Sequence, residues 1–217
     1  NNMAVIKGLH AKLIAERLQS VMTEKGYLFF DKGLFNVNII GIRSSGRKAN
    51  NFDDTILLTY RNKKGNWEVV SSVATTDPGK YYLVDSPVND RGTAILVPDQ
   101  YRGVYRVDIH AKSNKNFAHE ALCQRGNVLK VWRDNNRNNI LDHKPESIEE
   151  GWFGVNIHRS KSSGAADYVG AYSAGCQVFK NSTDFETFMG VIRKSKDKYG
   201  NSFTYTLLDE ADFEGDK

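Results

Sequence analysis

Cysteine is scarce: the chain of 217 residues holds two, Cys123 and Cys176. Two thiols do not make a disulfide framework, so both are expected free, Cys123 as a buried strand residue in Glu120-Ala121-Leu122-Cys123-Gln124. Long apolar runs are absent too. The longest, Val37 to Ile42, is interrupted by Asn38 and falls far short of the roughly 20 residues a spanning helix needs. There is no HExxH and no paired CxxC, which removes the common zinc signatures. No nucleic-acid-binding motif accompanies the scattered Lys and Arg. No repeat or linker divides the sequence, so it reads as a single domain over 1–217.

What is present fits a soluble globular protein, with 40% hydrophobic and 26% charged residues. The formal net charge of +4 suits a plain solvated surface or approach to an anionic polymer. Apolar residues at helical spacing (Leu13, Ile14, Leu18, Val21, Met22) predict a helix over Leu9 to Lys25, stopping at Gly26. From Tyr27 the pattern turns to strands. Phe35 to Ile42 alternates, and Thr55–Tyr60 joins Trp67–Val70 through Asn62-Lys63-Lys64-Gly65-Asn66 as a hairpin. Arg43 and the polar run Ser44 to Asp54, with Arg47, Asp53 and Asp54, read as a surface loop whose arginines can reach a carboxylate. Asp77-Pro78-Gly79 marks a turn, predicted to form a hairpin between Val69–Ala74 and Tyr81–Val84. Short strands follow at Ala94–Val97, Gly103–Val107 and Val128–Arg133. His110 and His119 bracket a polar segment, Lys112 to Asn116, and have two readings: ligands or substrate contacts, or, as scattered loop histidines, bystanders, the commoner case. Thr183-Asp184-Phe185-Glu186 has capping-box spacing ahead of a helix with Phe185, Phe188, Met189 and Ile192 on one face, ending near Gly200. A last strand, Ser202–Leu208, precedes an acidic tail expected to fray. The fold class is therefore mainly β (α+β), in three parts: 3–26 a helix, 27–180 a β-rich core, 181–217 a helix, strand and tail.

One stretch stands apart, Gly154 to Phe179, GVNIHRSKSSGAADYVGAYSAGCQVF. It carries His158 and Cys176, joined by a segment rich in Gly, Ser and Ala. By residue type alone the pair has two readings: a buried thiol with an unrelated imidazole, or a nucleophile with its base. Ser173, Ala174 and Gly175 allow a tight turn whose backbone N–H groups point at a developing oxyanion.

Ile157-His158 followed by Ser173-Ala174-Gly175-Cys176 resembles the His…Ser-x-Gly-Cys signature of the L,D-transpeptidase (YkuD-type) catalytic domain. Ala74-Thr75-Thr76-Asp77-Pro78-Gly79-Lys80-Tyr81-Tyr82-Leu83 is similar to that family's strand–turn–strand, and the resemblance covers roughly 66 to 180. It implies a β-sandwich or barrel with the terminal helices packed on the sheet. It also implies acyl transfer on peptidoglycan stem peptides through a thioester, Cys176 as nucleophile, His158 as base, and Gly175 and Ser173 at the turn. Two positions depart from the family: Arg159 follows the histidine where Gly is usual, and Gln177-Val178 stands where an aliphatic residue and Arg are usual. Hydrolysis by a phage-type lysin is thus an alternative to transpeptidation, and a catalytically silent wall-binding module is a second. Candidate substrate contacts are Arg159, Tyr172, Trp152 and Asn156. The tautomer of His158 is to be fixed by Asn156, Ser160 or a backbone carbonyl.

No cofactor is required. A weak calcium candidate is the loop from Asp134 to Asp142, where Asp134, Asn136, Asn138 and Asp142 place oxygens at the first, third, fifth and ninth positions. The partner expected is peptidoglycan, with neither nucleic acid nor a membrane span. Asn1-Asn2 reads as a cloning remnant before Met3, and Ala4 to His10 lacks the features of a secretion signal. The protein is then made in the cytoplasm and acts at the cell wall after release, unless the sequence is truncated.

Overall fold

The computed structural model describes residues 5–215. The Asn1-Asn2-Met3 start, the beginning of the segment read as 3–26 and the last two tail residues lie outside the described residues. In chain order the elements are β1 (Val5–Ile6), α1 (Gly8–Glu24), β2 (Asn38–Arg43), β3 (Asp54–Arg61), β4 (Trp67–Thr75), β5 (Thr93–Leu96), β6 (Gln100–His110), β7 (His119–Gln124), β8 (Leu129–Asp134), β9 (Glu149–Gly151), β10 (Ile157–Arg159), β11 (Gln177–Phe179), α2 (Ser182–Tyr199) and β12 (Phe203–Asp209). The chain is mainly β, as its period-2 stretches predict.

The large sheet runs β1-β4-β11-β10-β7-β6-β12-β2-β3, and β3 pairs again with β4, so the eight strands from β4 round to β3 close into a barrel. A small sheet, β5-β8-β9, stands beside it. The last strand, set apart from the core by the three-part reading, is a stave between β6 and β2. Alternation sorts the side chains. Ile39, Leu58, Tyr105, Tyr205 and Leu207 belong to one buried cluster, whereas their neighbours Ile40, Leu57 and Leu208 belong to a second. The second is the seat of α1, whose Ala11, Ala15, Leu18, Val21 and Met22 repeat at helical spacing. Each large apolar side chain buried there contributes on the order of 2 kcal/mol before entropy is charged. The small residues Ala11 and Ala15 hold the helix close to the sheet, and Leu13 is 51% exposed instead of buried. Gly26 ends the helix at φ +74, with Gly26 N–H bonded to Thr23 O and Tyr27 N–H to Met22 O, a left-handed stop that glycine adopts without strain.

The apolar face of α2 (Phe185, Phe188, Met189, Ile192) joins the barrel's inner cluster. Its cap is Asn181 and not the Thr183 box: extended at φ −113, Asn181 turns its side-chain oxygen onto Thr183 N–H and Asp184 N–H. The expected hairpin after Asp77-Pro78-Gly79 does not form. Residues Tyr81–Asp85 make one π-helical turn with Leu83 buried, because Gly79 N–H is taken by Ser173 O (2.9 Å) and Lys80 N–H by Asn50 Oδ1 (3.1 Å). Nor does the tail fray over its described residues. Asp209 and Asp212 cap each other across a short turn, Glu210–Phe213, while Lys25 pairs with Asp212 at 2.9 Å and Phe213 packs beside α1. No helix among the described residues is long and apolar enough to cross a membrane.

A buried polar knot ties β2 to the 76–79 turn. Arg43, at the end of β2 rather than in the loop, donates to Thr76 Oγ1 (2.9 Å), Thr76 O (2.8 Å) and Leu96 O (2.7 Å). Asp54 accepts from Thr76 N–H and Oγ1–H on one oxygen and from Ser44 N–H on the other. The carboxylate Arg43 reaches is Asp77, 3.1 Å from Nε, although that N–H is aimed at Thr76. Burial pushes the Asp77 carboxyl up to about 7 against the pull of Arg43. Arginine cannot shed its charge, so Asp77→Ala is expected to cost about 3–5 kcal/mol in urea unfolding. A loss below about 1 kcal/mol would show that neutral acceptors suffice for Arg43.

Candidate active site

The two residues singled out by the sequence meet through a parallel strand pair. Between β10 and β11, Ile157 pairs with Gln177 and His158 with Val178, so Cys176, one residue before β11, comes abreast of Asn156. Period-2 alternation puts Asn156, His158 and Cys176 on one face of the ladder and Ile157 and Gln177 on the other. Cys176 Sγ contacts Asn156 N–H at 3.4 Å and Gly154 O at 3.5 Å. No hydrogen bond joins it to His158 among the described residues, yet both side chains open into one cleft of about 700 Å³, lined also by Tyr82, His110, Phe117 and Tyr172.

The turn that presents the cysteine is fixed from three sides. Ser173 Oγ donates to Cys176 O (2.8 Å) and accepts from Gly175 N–H (3.1 Å), so both are committed to shaping the turn. Gly175 sits at φ +119, and a Cβ there would lie 2.5 Å from Ala94 O of β5. No other residue fits. Gln177, fully buried, donates from Nε2 to Thr76 O (3.2 Å) and accepts from Tyr205 Oη at 2.7 Å, which pins the strand after the cysteine inside the barrel. With Gly175 N–H engaged, the Cys176 N–H, which has no protein acceptor among the described residues, is the donor left for an oxyanion.

His158 is 1% exposed, and its Nδ1 lies 2.7 Å from Arg159 O. A carbonyl only accepts, so Nδ1 carries the proton and Nε2 is the basic nitrogen. Of the three candidates for this task, the backbone carbonyl serves. His110 stacks on His158, with ring centroids 3.8 Å apart and planes 14° from parallel. The Asn156 amide closes the arrangement: its Oδ1 accepts from Gln124 N–H and its Nδ2 reaches His110 Nδ1 at 3.0 Å. His119 directs Nδ1 to Phe117 O (2.8 Å) and accepts from Arg159 N–H on Nε2 (3.3 Å).

These histidines are strand residues, register partners at the ends of β6 and β7; reading them as loop bystanders missed them. Hairpin register carries the signal, since two residues flanking one connection face each other across it. Of the proposed substrate contacts, Tyr172 lines the cleft and Asn156 is buried behind it. Arg159 acts through its backbone, and its side chain faces the field of Glu186. Trp152 is 60% exposed and does not line the cleft.

Burial sets the protonation states. It lowers His158 well below the ordinary imidazole value, with His110 adding to the effect, takes His110 down to about 4, and lowers His119. It pushes Cys176 up to about 11, the Asn156 N–H pulling the other way. Both partners therefore rest neutral at pH 7, with a thiolate fraction on the order of 10⁻⁴. Burial thus favours the neutral thiol and the neutral imidazole over their charged forms. Among the described residues no three His, Cys, Asp or Glu side chains gather to hold a metal ion.

Comparison with protein-family models, with curated proteins and with solved structures finds no match.

Cys123, 0% exposed and also pushed up to about 11 by burial, is an internal control for reactivity. Iodoacetamide is expected to label Cys176 well before Cys123, at a rate rising about tenfold per pH unit from 7 to 10 as the thiolate fraction grows. Mass spectrometry of each thiol's adduct reads this out. A labelling rate already flat below pH 7 would mean an ion pair, and equal slow labelling of both thiols would deny access to the cleft.

Proposed function

We propose that this chain is a cysteine acyl transferase of the L,D-transpeptidase type, acting on peptidoglycan stem peptides. The observation that carries the reading is the shared cleft, which a half-buried thiol and an imidazole both line, the tautomer of the imidazole leaving Nε2 as its basic nitrogen. The order of His158 and Cys176 in the chain, the Ser173-Ala174-Gly175-Cys176 turn and the β-rich scaffold agree with the family resemblance. The π-helical turn after Gly79 is a feature of this chain on which the resemblance gave no guidance.

In the mechanism, His158 Nε2 removes the thiol proton as Cys176 Sγ attacks a peptide carbonyl. The tetrahedral oxyanion accepts a hydrogen bond from Cys176 N–H. Collapse breaks the C–N bond, the imidazolium returns its proton to the leaving amine, and a thioester remains. An amine or water then attacks with His158 again as base, giving a cross-link or a cut peptide. Because the imidazole works in its neutral form and its basicity is depressed, the acid limb of kcat/KM is expected below the ordinary histidine range. Phe117 and Tyr172, 6.0 Å apart between centroids, wall the cleft for an apolar portion of the substrate.

A hydrolytic outcome has its own support: none of the residues lining the cleft is Asp, Glu, Lys or Arg, so no charge is there to hold an amine acceptor, and water needs no such anchor. The test is muropeptide mass spectrometry after incubation with purified sacculi. Cys176→Ala is expected to abolish product and His158→Gln to lower the rate by about 10²–10⁴, with both variants folded by circular dichroism. Unchanged muropeptides with the wild-type protein, together with binding to sacculi, would leave a silent wall-binding module.

A further inference from the structure

Away from the cleft, the loop that follows β8 is built around a carboxylate without enough partners. Asp134 is 1% exposed. Its Oδ2 accepts from Asp142 N–H at 2.8 Å, but Oδ1 is buried with no hydrogen-bond donor, a state that is costly unless something positive meets it. Further side-chain oxygens lie along the same loop. Asn136 Nδ2 donates to Asp142 Oδ2, and Asn136 Oδ1 and Asn138 Oδ1 accept from Asn138 N–H and Ile140 N–H at 3.2 and 2.9 Å. Arg137 and Asn139 take φ of +57 and +61, curling the chain around that centre, and Asn139 Oδ1 is a second buried oxygen without a donor.

We propose that the Asp134–Asp142 loop is a calcium site, with Asp134, Asn136, Asn138 and Asp142 supplying side-chain oxygens and Ile140 its carbonyl. Two carboxylates balance a divalent ion, and an all-oxygen set of this kind takes a hard cation in preference to zinc or copper. With amides at two positions, it needs fewer carboxylates than a cluster of acidic residues. Asn139 stands in a left-handed conformation where such loops favour glycine. The twelfth position is Pro145, so the bidentate glutamate of the tight sites is missing, and the affinity falls in the weak range of about 10⁻⁴–10⁻³ M.

The loop is wired to the cleft by two routes. β8 pairs with β5 through Arg133 and Ala94, and Ala94 O is the atom against which Gly175 packs. On the other side Leu141 N–H bonds to Arg47 O and Ala49 N–H to Asn139 O. The adjoining Asn50 holds Gly170 N–H at 2.7 Å and Lys80 N–H at 3.1 Å. A bound ion would stiffen the backing of the cysteine turn without touching the reacting atoms.

The test uses the full chain and calcium chloride alone. Thermal unfolding is expected to shift upward by about 3–5 °C at ten times Kd and to go on rising with the logarithm of calcium concentration above that, with magnesium giving less. Terbium luminescence excited through Trp132, two residues before Asp134, should appear and be displaced by calcium. Asp142→Asn and Asn138→Ala, both away from the barrel core, should each weaken binding about tenfold or more, as read by the calcium concentration needed for a given shift. Asp134→Asn, should it fold, should remove the shift altogether. Absence of both the shift and the luminescence up to about 20 mM calcium would overturn the proposal. So would a shift that persists unchanged in Asp142→Asn and Asn138→Ala.

Discussion

A fully buried glutamine holds this architecture to its chemistry. A primary amide sealed from water must find partners for both ends, and Gln177 finds Tyr205 Oη on one side and Thr76 O on the other. Those partners lie on β12 and on the turn after β4, so the bonds bring both to the strand that begins at the cysteine. Ser173 and Gly175 then have a single way to turn, since the next residue is anchored and Ala94 O blocks any side chain on Gly175. The position of Cys176 follows from these constraints and not from any bond the sulfur itself makes.

The electrostatics follow from the same burial. Three imidazoles and a thiol are packed where charge is disfavoured, and each has a neutral hydrogen-bonded role: Nδ1–H to a carbonyl in His158 and His119, an accepting Nδ1 in His110. Stacking His110 on His158 makes a second positive charge there costly, so both rings are held toward their neutral forms.

Local patterns carried the parts of the fold that depend on neighbours in sequence. The spacing of Leu18, Val21 and Met22, the alternation around Ile39 and Leu57, and the turn residues between Tyr60 and Trp67 gave α1, β2 and the β3–β4 hairpin. His158 and Cys176 were singled out by a resemblance, and the fold puts both in the lining of one cleft. What failed was non-local. The hairpin expected at Tyr81 lost its donors to Ser173 and Asn50, which lie about 90 and 30 residues away and are invisible to a local window. His110 and His119 looked scattered because their meaning lies in register across β6 and β7. Asn181 took the cap from Thr183 because the chain leaves β11 in extended form. Barrel closure, which depends on β4 pairing with β3 on one side and β11 on the other, has no signature within any one strand.

A sheet closed on itself offers no row of free amides to a second molecule, so the large sheet has little with which to template intermolecular pairing. The small sheet has two margins: the four residues of β5 are all buried, and β9 is guarded, since Glu149 and Glu150 are two of its three residues and Glu149 is bridged by Arg91 and Arg133. Any copy approaching that margin would have to desolvate clustered charge before it gained a hydrogen bond. The fold thereby keeps strand pairing an internal affair in a mainly β chain.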